Sequence, residues 1–250
     1  MNFQLRKHYL LTTLEQHRSV SVVEAAQHLN TTPITIRRDL AQLAKQGLVV
    51  RTHGGAVLPG LTKHPVAFAR KADRRLAQKQ AICRLAAAHI TEGDFIYIDC
   101  GSTTFGLCAL IRQLSIRVLT NSLPVLAELA GSAVQLVVVG GEVDRERQAM
   151  HGATAVDYLA RYSVDKAFVG TDGLSVQRGL SANSEQEATI TRAAMAAARH
   201  VFLLCDSSKL EQDKYLQFAP LSAIGTLITD QQATAEVLAR YRESGVTVLS

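Results

Sequence analysis

From residue 76 onward, apolar runs of strand length alternate with alanine- and leucine-rich stretches of helix length, an order that few architectures accommodate. The strand-like runs are Phe95–Ile98, Val118–Thr120, Gln135–Val139, Ala167–Val169, Val201–Leu204, Leu227–Ile228 and Val246–Leu249. The helical stretches between most of them are Gln80–Ile90, Thr104–Gln113, Pro124–Ala130, Ala155–Tyr162, Glu187–Arg199 and Ala233–Glu243. Strands separated by helices imply right-handed crossovers, which predicts an α/β domain with a Rossmann-like, mostly parallel sheet. The continuous Val, Leu and Ile content of the runs fits strands buried on both faces.

Five of the runs end in small or polar clusters: Asp99-Cys100-Gly101-Ser102-Thr103-Thr104, Asn121-Ser122, Gly140-Gly141, Gly170-Thr171-Asp172-Gly173 and Asp206-Ser207-Ser208-Lys209. Ligands of open parallel sheets bind outside the carboxyl ends of the strands, so these clusters outline a pocket for a polar small molecule. Asp99–Thr104 leads from a strand into a predicted helix, placing free amides, hydroxyls and a positive helix end together, as a phosphate requires. The same residues also serve a plain, well-capped helix start. The turn matches neither the Walker loop nor G-x-G-x-x-G, which disfavours a nucleoside triphosphate or a dinucleotide. Lys209 fits a phosphate or a sugar oxygen, or an exposed loop. Asp99, Asp172, Glu187 and Asp206 fit sugar hydroxyls, or alternatively caps and buried anchors.

Charge divides the chain. Residues 1–79 carry 13 Lys and Arg against 4 Asp and Glu, a balance of +9, whereas the remaining 171 carry 14 and 18, a balance of −4. A basic head on a mildly acidic body points to a polyanion partner for the head. Residues 5–50 read as three short helices. Ser21 and Glu24 form a capping-box pair at the start of the second, and Thr32 caps the third with Pro33 at its first position. Two helices joined by a short turn make a helix-turn-helix. On the third helix Ile36, Leu40 and Leu43 share the core side, while Thr35, Arg38, Gln42 and Lys45 lie opposite. Arg37 sits on the flank, with Asp39 near enough to orient an arginine. Leu48–Thr52 reads as a strand, and His53-Gly54-Gly55-Ala56-Val57 as a turn and return strand, together a wing whose glycines permit close backbone approach to DNA. Candidate DNA contacts are Thr32, Thr35, Arg37, Arg38, Gln42, Lys45, Arg51, His53 and Gly54. A linker containing Pro59, Gly60, Pro65 and the cluster Arg70, Lys71, Arg74, Arg75 follows, either as a solvated hinge or as added phosphate contacts.

Other classes are disfavoured. No apolar run approaches the roughly 18 residues of a membrane helix. Arg6, Lys7, His8, Glu15 and Arg18 leave no secretory apolar core near the start. Cys83, Cys100, Cys108 and Cys205 form no C-x-x-C pair and have apolar neighbours, so buried reduced thiols and a cytoplasmic, nucleoid-associated location are expected. Tryptophan is absent and aromatics are 5%, against a base-stacking platform for single strands. His53, His89, His151 and His200 show no ligand spacing, so no metal or other cofactor is expected.

The string Thr35-Ile36-Arg37-Arg38-Asp39-Leu40, followed by Gly47 and His53-Gly54-Gly55-Ala56, strongly resembles the winged helix-turn-helix of the DeoR family of bacterial transcriptional regulators. Asp99-x-Gly-Ser-Thr-Thr, Thr120-Asn121-Ser122, Gly140-Gly141, Glu187-Ala188 and Asp206-Ser207-Ser208-Lys209 resemble its sensor domain in the same order, so the likeness covers about residues 5–250. The resemblance implies a winged helix-turn-helix at residues 1–58, a linker at 59–75 and a sensor at 76–250. It relates the sensor to ribose-5-phosphate isomerase and CoA-transferase folds, with a phosphorylated sugar or sugar-like metabolite as effector. Candidate effector contacts are Asp99, Gly101, Ser102, Thr103, Thr104, Asn121, Gly141, Asp172, Glu187 and Lys209. The family function implied is that of a repressor of a carbohydrate operon, a homo-oligomer (dimer or tetramer) on double-stranded operator DNA. Leu210 stands where phenylalanine often follows the lysine, and residues 144–150 are charged where relatives often carry serines. An isomerase would need a carboxylate base and a carbonyl-polarising group, nominally available in Asp99, Glu187 and Lys209. The DNA-binding head makes regulation rather than catalysis the expected function.

Overall fold

Two hydroxyl side chains start the helices of the head. Ser21 Oγ accepts the amide of Glu24 at 3.4 Å, and Thr32 Oγ1 accepts that of Thr35 at 3.2 Å. The computed structural model describes residues 3–17, 19–46, 48–51, 54–57 and 74–250. The chain divides into two compact units, Met1–Lys63 and His64–Ser250. Among the described residues no helix is long and apolar enough to cross a membrane.

The first unit contains α1 (Phe3–His17), β1 (Ser19–Ser21), α2 (Val22–His28), α3 (Pro33–Lys45), β2 (Val50–Arg51) and β3 (Gly55–Val57). The three strands form an antiparallel sheet in the order β1-β3-β2. The sequence reading anticipated two of them. Ser19–Ser21, where the sequence marks a cap at Ser21 but no strand, supplies the third by pairing with β3. That pairing explains Gly55: a Cβ there would lie 1.8 Å from the carbonyl oxygen of Val20. Its missing side chain therefore lets two strands of the sheet approach, and only Gly54 is exposed and open. Leu10, Leu14, Ala25, Ile36, Leu40 and Leu43 are buried together, fixing three helices around one apolar core.

The second unit holds α4 (Leu76–Ala87), β4 (Phe95–Ile98), a 3₁₀ turn (Thr104–Leu107) running into the one-turn α5 (Cys108–Ile111), β5 (Arg117–Thr120), α6 (Leu123–Leu129) and β6 (Gln135–Val138). A hairpin of β7 (Glu142–Asp144) and β8 (Ala149–His151), then α7 (Ala153–Leu159) and β9 (Val164–Val169), follow. Next come β10 (Gly173–Ser175), β11 (Gly179–Ala182), α8 (Glu185–Ala196), β12 (Ala198–Leu204), β13 (Leu216–Ala219), β14 (Thr226–Ile228), α9 (Ala235–Glu243) and β15 (Thr247–Leu249). Seven strands make one parallel sheet in the order β15-β14-β12-β9-β4-β5-β6. These are the seven apolar runs of the sequence.

Successive residues of the central strands face opposite layers. Ile96 and Ile98 pack with α4, α5 and α6, and Tyr97 packs with α7 and α8; Phe202 and Leu204 divide from Leu203 in the same way. Both layers are apolar, which is why the runs are continuous rather than alternating. The small sheet β10-β11-β13 and the β7–β8 hairpin were not anticipated, because strands of three or four residues interrupted by glycine or charge carry little periodic signal.

Strand order sets the place of the site. From β4 the chain winds outward through β5 and β6, then returns to lay β9 on the other side of β4 and continues outward to β15. The switch point therefore lies between the carboxyl ends of β4 and β9, where a crevice opens in sheets of this kind.

Candidate functional site

Asp99 follows β4 and forms the centre of that crevice. Its Oδ1 accepts the amide of Gly101 at 2.8 Å and the hydroxyl of Thr104, and its Oδ2 accepts the amide of Gly170, beyond β9, at 2.6 Å. Burial raises the Asp99 carboxyl above the ordinary carboxylate range, against the opposing pull of Thr104, Gly170, Gly101 and Lys209. Of the two roles the sequence left open, Asp99 thus fills that of buried anchor, holding two strand ends and the 101–104 turn in one arrangement.

Around it lies a cavity of about 420 Å³, within the usual range of small-molecule sites. Of the expected effector contacts, Asp99, Gly101, Ser102, Thr103, Asp172, Glu187 and Lys209 line it. Thr104, Asn121 and Gly141 do not. Thr104 is fully buried with its hydroxyl turned back to Asp99 and the Gly101 carbonyl. Asn121 is also fully buried, accepting from the Tyr97 hydroxyl at 2.9 Å and donating to the Met150 carbonyl at 3.0 Å. Gly141 serves chain packing: a Cβ there would stand 2.5 Å from the carbonyl oxygen of His151.

Part of the cavity lining is cationic. Among the described residues, the amides of Ser102 and Thr103 donate to no protein acceptor. Lys79, a buried lysine on α4, donates to Ser102 Oγ at 3.0 Å, and Lys209 Nζ donates to the Thr171 carbonyl at 2.6 Å. Arg74 and Arg75 complete this cationic set. Arg75 has a left-handed backbone, φ 56° and ψ 41°, and its Nε lies 3.7 Å from Asp206 Oδ1. The two arginines, expected in a linker, thus line the sensor cavity; residues 59–73 lie outside the described residues. The helix expected at Thr104–Gln113 is a 3₁₀ turn plus a single α-turn, so the positive end of a long helix expected there is not formed.

The lining also carries carboxylates, which share one arginine. Glu187, in the first turn of α8, forms a two-pronged pair with Arg147: Nη1 to Oε1 at 2.9 Å and Nη2 to Oε2 at 2.8 Å. Arg147 comes from the turn between β7 and β8 and also lies 3.9 Å from Asp172 Oδ2. Burial lowers the arginine pKa, yet Glu187 and Asp172 more than restore it. Asp172 Oδ2 accepts the amide and the side-chain Nδ2 of Asn183 at 3.0 and 3.2 Å. Glu146 and Lys214 stand along the same lining. Sequence reading missed Arg74, Arg75, Lys79, Arg147, Asn183 and Lys214 as pocket residues; only the charge of residues 144–150, set against serines in relatives, marked one of them.

On the head, Ile36, Asp39, Leu40 and Leu43 are the buried side of α3. Arg37, Arg38, Gln42 and Lys45 are exposed, as is Thr32; Thr35 is half-buried with its hydroxyl 2.9 Å from that of Thr32. The arginine that Asp39 orients is Arg6 of α1, through Nε at 2.6 Å and Nη2 at 3.1 Å, leaving Arg37 to solvent. His53 and the side chain of Arg51 lie outside the described residues. The four cysteines are buried and free, and burial pushes Cys83, Cys108 and Cys205 up to about 12.

Residues 6–60 match the DeoR-like helix-turn-helix domain, and residues 74–231 match the DeoR C terminal sensor domain. The chain belongs to the DeoR family. It is 32% identical over 247 residues to the HTH-type transcriptional repressor GlcR of Bacillus subtilis, covering 96% of this chain and 93% of that protein. It is 29% identical over 235 residues to the glycerol-3-phosphate regulon repressor of Escherichia coli K12, covering 93% of each. These relatives are named as transcriptional repressors, not enzymes. Among solved structures, ribose 5-phosphate isomerase A of Methanocaldococcus jannaschii aligns over 53% of each chain, with 22% identity and a TM-score of 0.40. The DeoR assignment rests on the two family domains and on the full-length relatives.

Proposed function

We propose that this DeoR-family protein is a transcriptional repressor of a carbohydrate operon, released from its operator when a phosphorylated sugar or sugar-like metabolite fills the sensor cavity. The observation that carries this reading is one cavity lined both by cations, Lys79, Arg74, Arg75 and Lys209, with the free amides of Ser102 and Thr103, and by the carboxylates Asp172 and Glu187, which share Arg147. A phosphate is neutralised by the cations and amides, and hydroxyls donate to the carboxylates. The names of the relatives support repression, and one of them names a glycerol-3-phosphate regulon.

In this reading a homo-oligomer, dimer or tetramer, places α3 of its subunits in successive major grooves. Thr35, Arg38 and Gln42 touch base edges, Arg37 and Lys45 mainly phosphates, and Thr32 at the helix cap and Arg51, His53 and Gly54 of the wing complete the contacts. The protein works in the cytoplasm, on the nucleoid.

A thermal-shift screen against phosphorylated sugars and their free counterparts tests the effector. Binding to the native state raises stability by about 2.7 kcal/mol at a hundredfold excess over Kd. A shift with a phosphorylated sugar, absent with the free sugar, supports the proposal; no shift with any phosphate refutes the effector class and leaves the DNA-binding head untouched.

A further inference from the structure

Helix α3 presents a large apolar side chain that the DNA-binding reading does not use. Ile34 is 76% exposed, the most exposed large apolar side chain of the first unit among the described residues. It occupies the second position of the helix, behind Thr32 at the cap and Pro33. At 100° per residue, Ile34 lies 180° from Leu43, which is fully buried, and so points directly away from the core. Arg38, Ala41 and Lys45 follow at spacings of four, seven and eleven, on the same stripe.

A β-branched apolar residue on a stripe that also bears Arg38, Ala41 and Lys45 exposes hydrocarbon to water at the end of the helix that leads into the groove. The edges of base pairs in the major groove offer one apolar group, the C5 methyl of thymine; the rest are hydrogen-bond donors and acceptors. Nothing polar on the Ile34 side chain can pair with those, so a groove edge without the methyl would leave both surfaces unsatisfied.

We propose that Ile34 is a specificity-determining residue that packs on the C5 methyl of one thymine in each operator half-site. The proposal rests on DNA binding by α3. Ile34 adds apolar readout to the hydrogen-bonding contacts of Arg38 and Gln42 and makes no phosphate contact.

The test uses the full-length protein. Duplexes enriched from a random pool are remade with uracil replacing thymine one position at a time, which deletes only the methyl. Wild-type protein is expected to lose about fourfold in affinity at one symmetry-related position, the equivalent of one buried methyl group. Ile34→Ala is expected to bind thymine and uracil duplexes equally and to keep the wild-type salt dependence; Ile34→Val is expected to retain part of the preference. Because Ile34 is exposed, the variants should keep the wild-type thermal midpoint, which separates loss of contact from loss of fold. Equal wild-type affinity for every uracil duplex overturns the inference, as does an unchanged thymine preference in Ile34→Ala. A change of oligomeric state in Ile34→Ala without thymine dependence assigns the side chain to a subunit contact and also overturns it. Failure to enrich any duplex overturns DNA binding itself.

Discussion

Asp99 Oδ2 accepts the amide of Gly170 at 2.6 Å, joining residues 71 apart in sequence across the point where the sheet reverses its winding. The same carboxyl holds the amide of Gly101 and the hydroxyl of Thr104, so one buried group shapes the floor of the sensor cavity from three directions. Replacing it by alanine leaves these donors without an acceptor in a buried place. Asp99→Ala should destabilise the second unit by roughly 2–4 kcal/mol and abolish the effector response. Urea unfolding measures the first and operator release the second; a variant as stable as wild type would contradict the anchoring role.

Arg147 and Glu187 form a partly buried pair in the cavity lining, with side chains 24% and 21% exposed. Arg147→Ala leaves Glu187 and Asp172 as neighbouring carboxylates without the cation between them. Effector affinity should fall by about 2 kcal/mol, roughly thirtyfold, with DNA affinity in the absence of effector unchanged. Titration calorimetry and an operator-binding curve on the same preparation separate the two.

Arg38 and Arg37 adjoin on α3 yet face differently. Arg38→Ala should cost about 1–3 kcal/mol of operator affinity and relax base preference at one position per half-site. Arg37→Ala should weaken all sequences alike and lower the slope of log K against log salt by about 1. Exchange of these two signatures would reverse the assignment of base and phosphate contacts.

Asp39 and Arg6 pair in two-pronged fashion beneath the recognition face, with side chains 6% and 14% exposed. Asp39→Ala removes the carboxylate opposite a part-buried guanidinium and should destabilise the head by about 1–2 kcal/mol. Proteolysis or hydrogen exchange within residues 3–46 should report this loss while the second unit keeps its protection; equal protection of both units would show the pair to be dispensable.

His151 of β8 is buried, and burial holds its imidazole below the ordinary value, with Asp144 opposing and Arg147 assisting. The unfolded chain protonates this group near 6.5, and the folded chain only at lower pH. Between those values the unfolded state binds more protons, so stability declines as pH falls through that window and is fully present above it. Tm measured from pH 7.5 down to 5.5 should therefore fall more steeply for wild type than for His151→Gln. Parallel profiles would exclude His151 as a source of the acid sensitivity.

Local signals were read well. Apolar runs gave all seven strands of the main sheet, because a strand covered on both faces must be apolar at nearly every position. Thr32 and Pro33 marked the start of α3 by their own chemistry, and the facing of Ile36, Leu40 and Leu43 followed from helical period alone. Less was legible where meaning depends on partners. Asn121 looked like a ligand contact but is spent on Tyr97 and Met150, and that the arginine oriented by Asp39 is Arg6, 33 residues away, was not legible locally. Gly55 looked like a wing glycine open to DNA, yet its missing side chain makes room for β1.

By itself the sequence determined the alternation of strand and helix, the caps, the charged head and the residues ending each strand, since propensity, periodicity and capping act over a few neighbouring residues. Tertiary structure alone decided that β9 lies beside β4, that Asp99 meets Gly170, and that Lys79, Arg74, Arg75 and Arg147 converge on one cavity. Strand order is chosen by how whole layers bury their apolar faces, and no local pattern carries it. Side chains from distant segments therefore become one site only when the sheet is assembled.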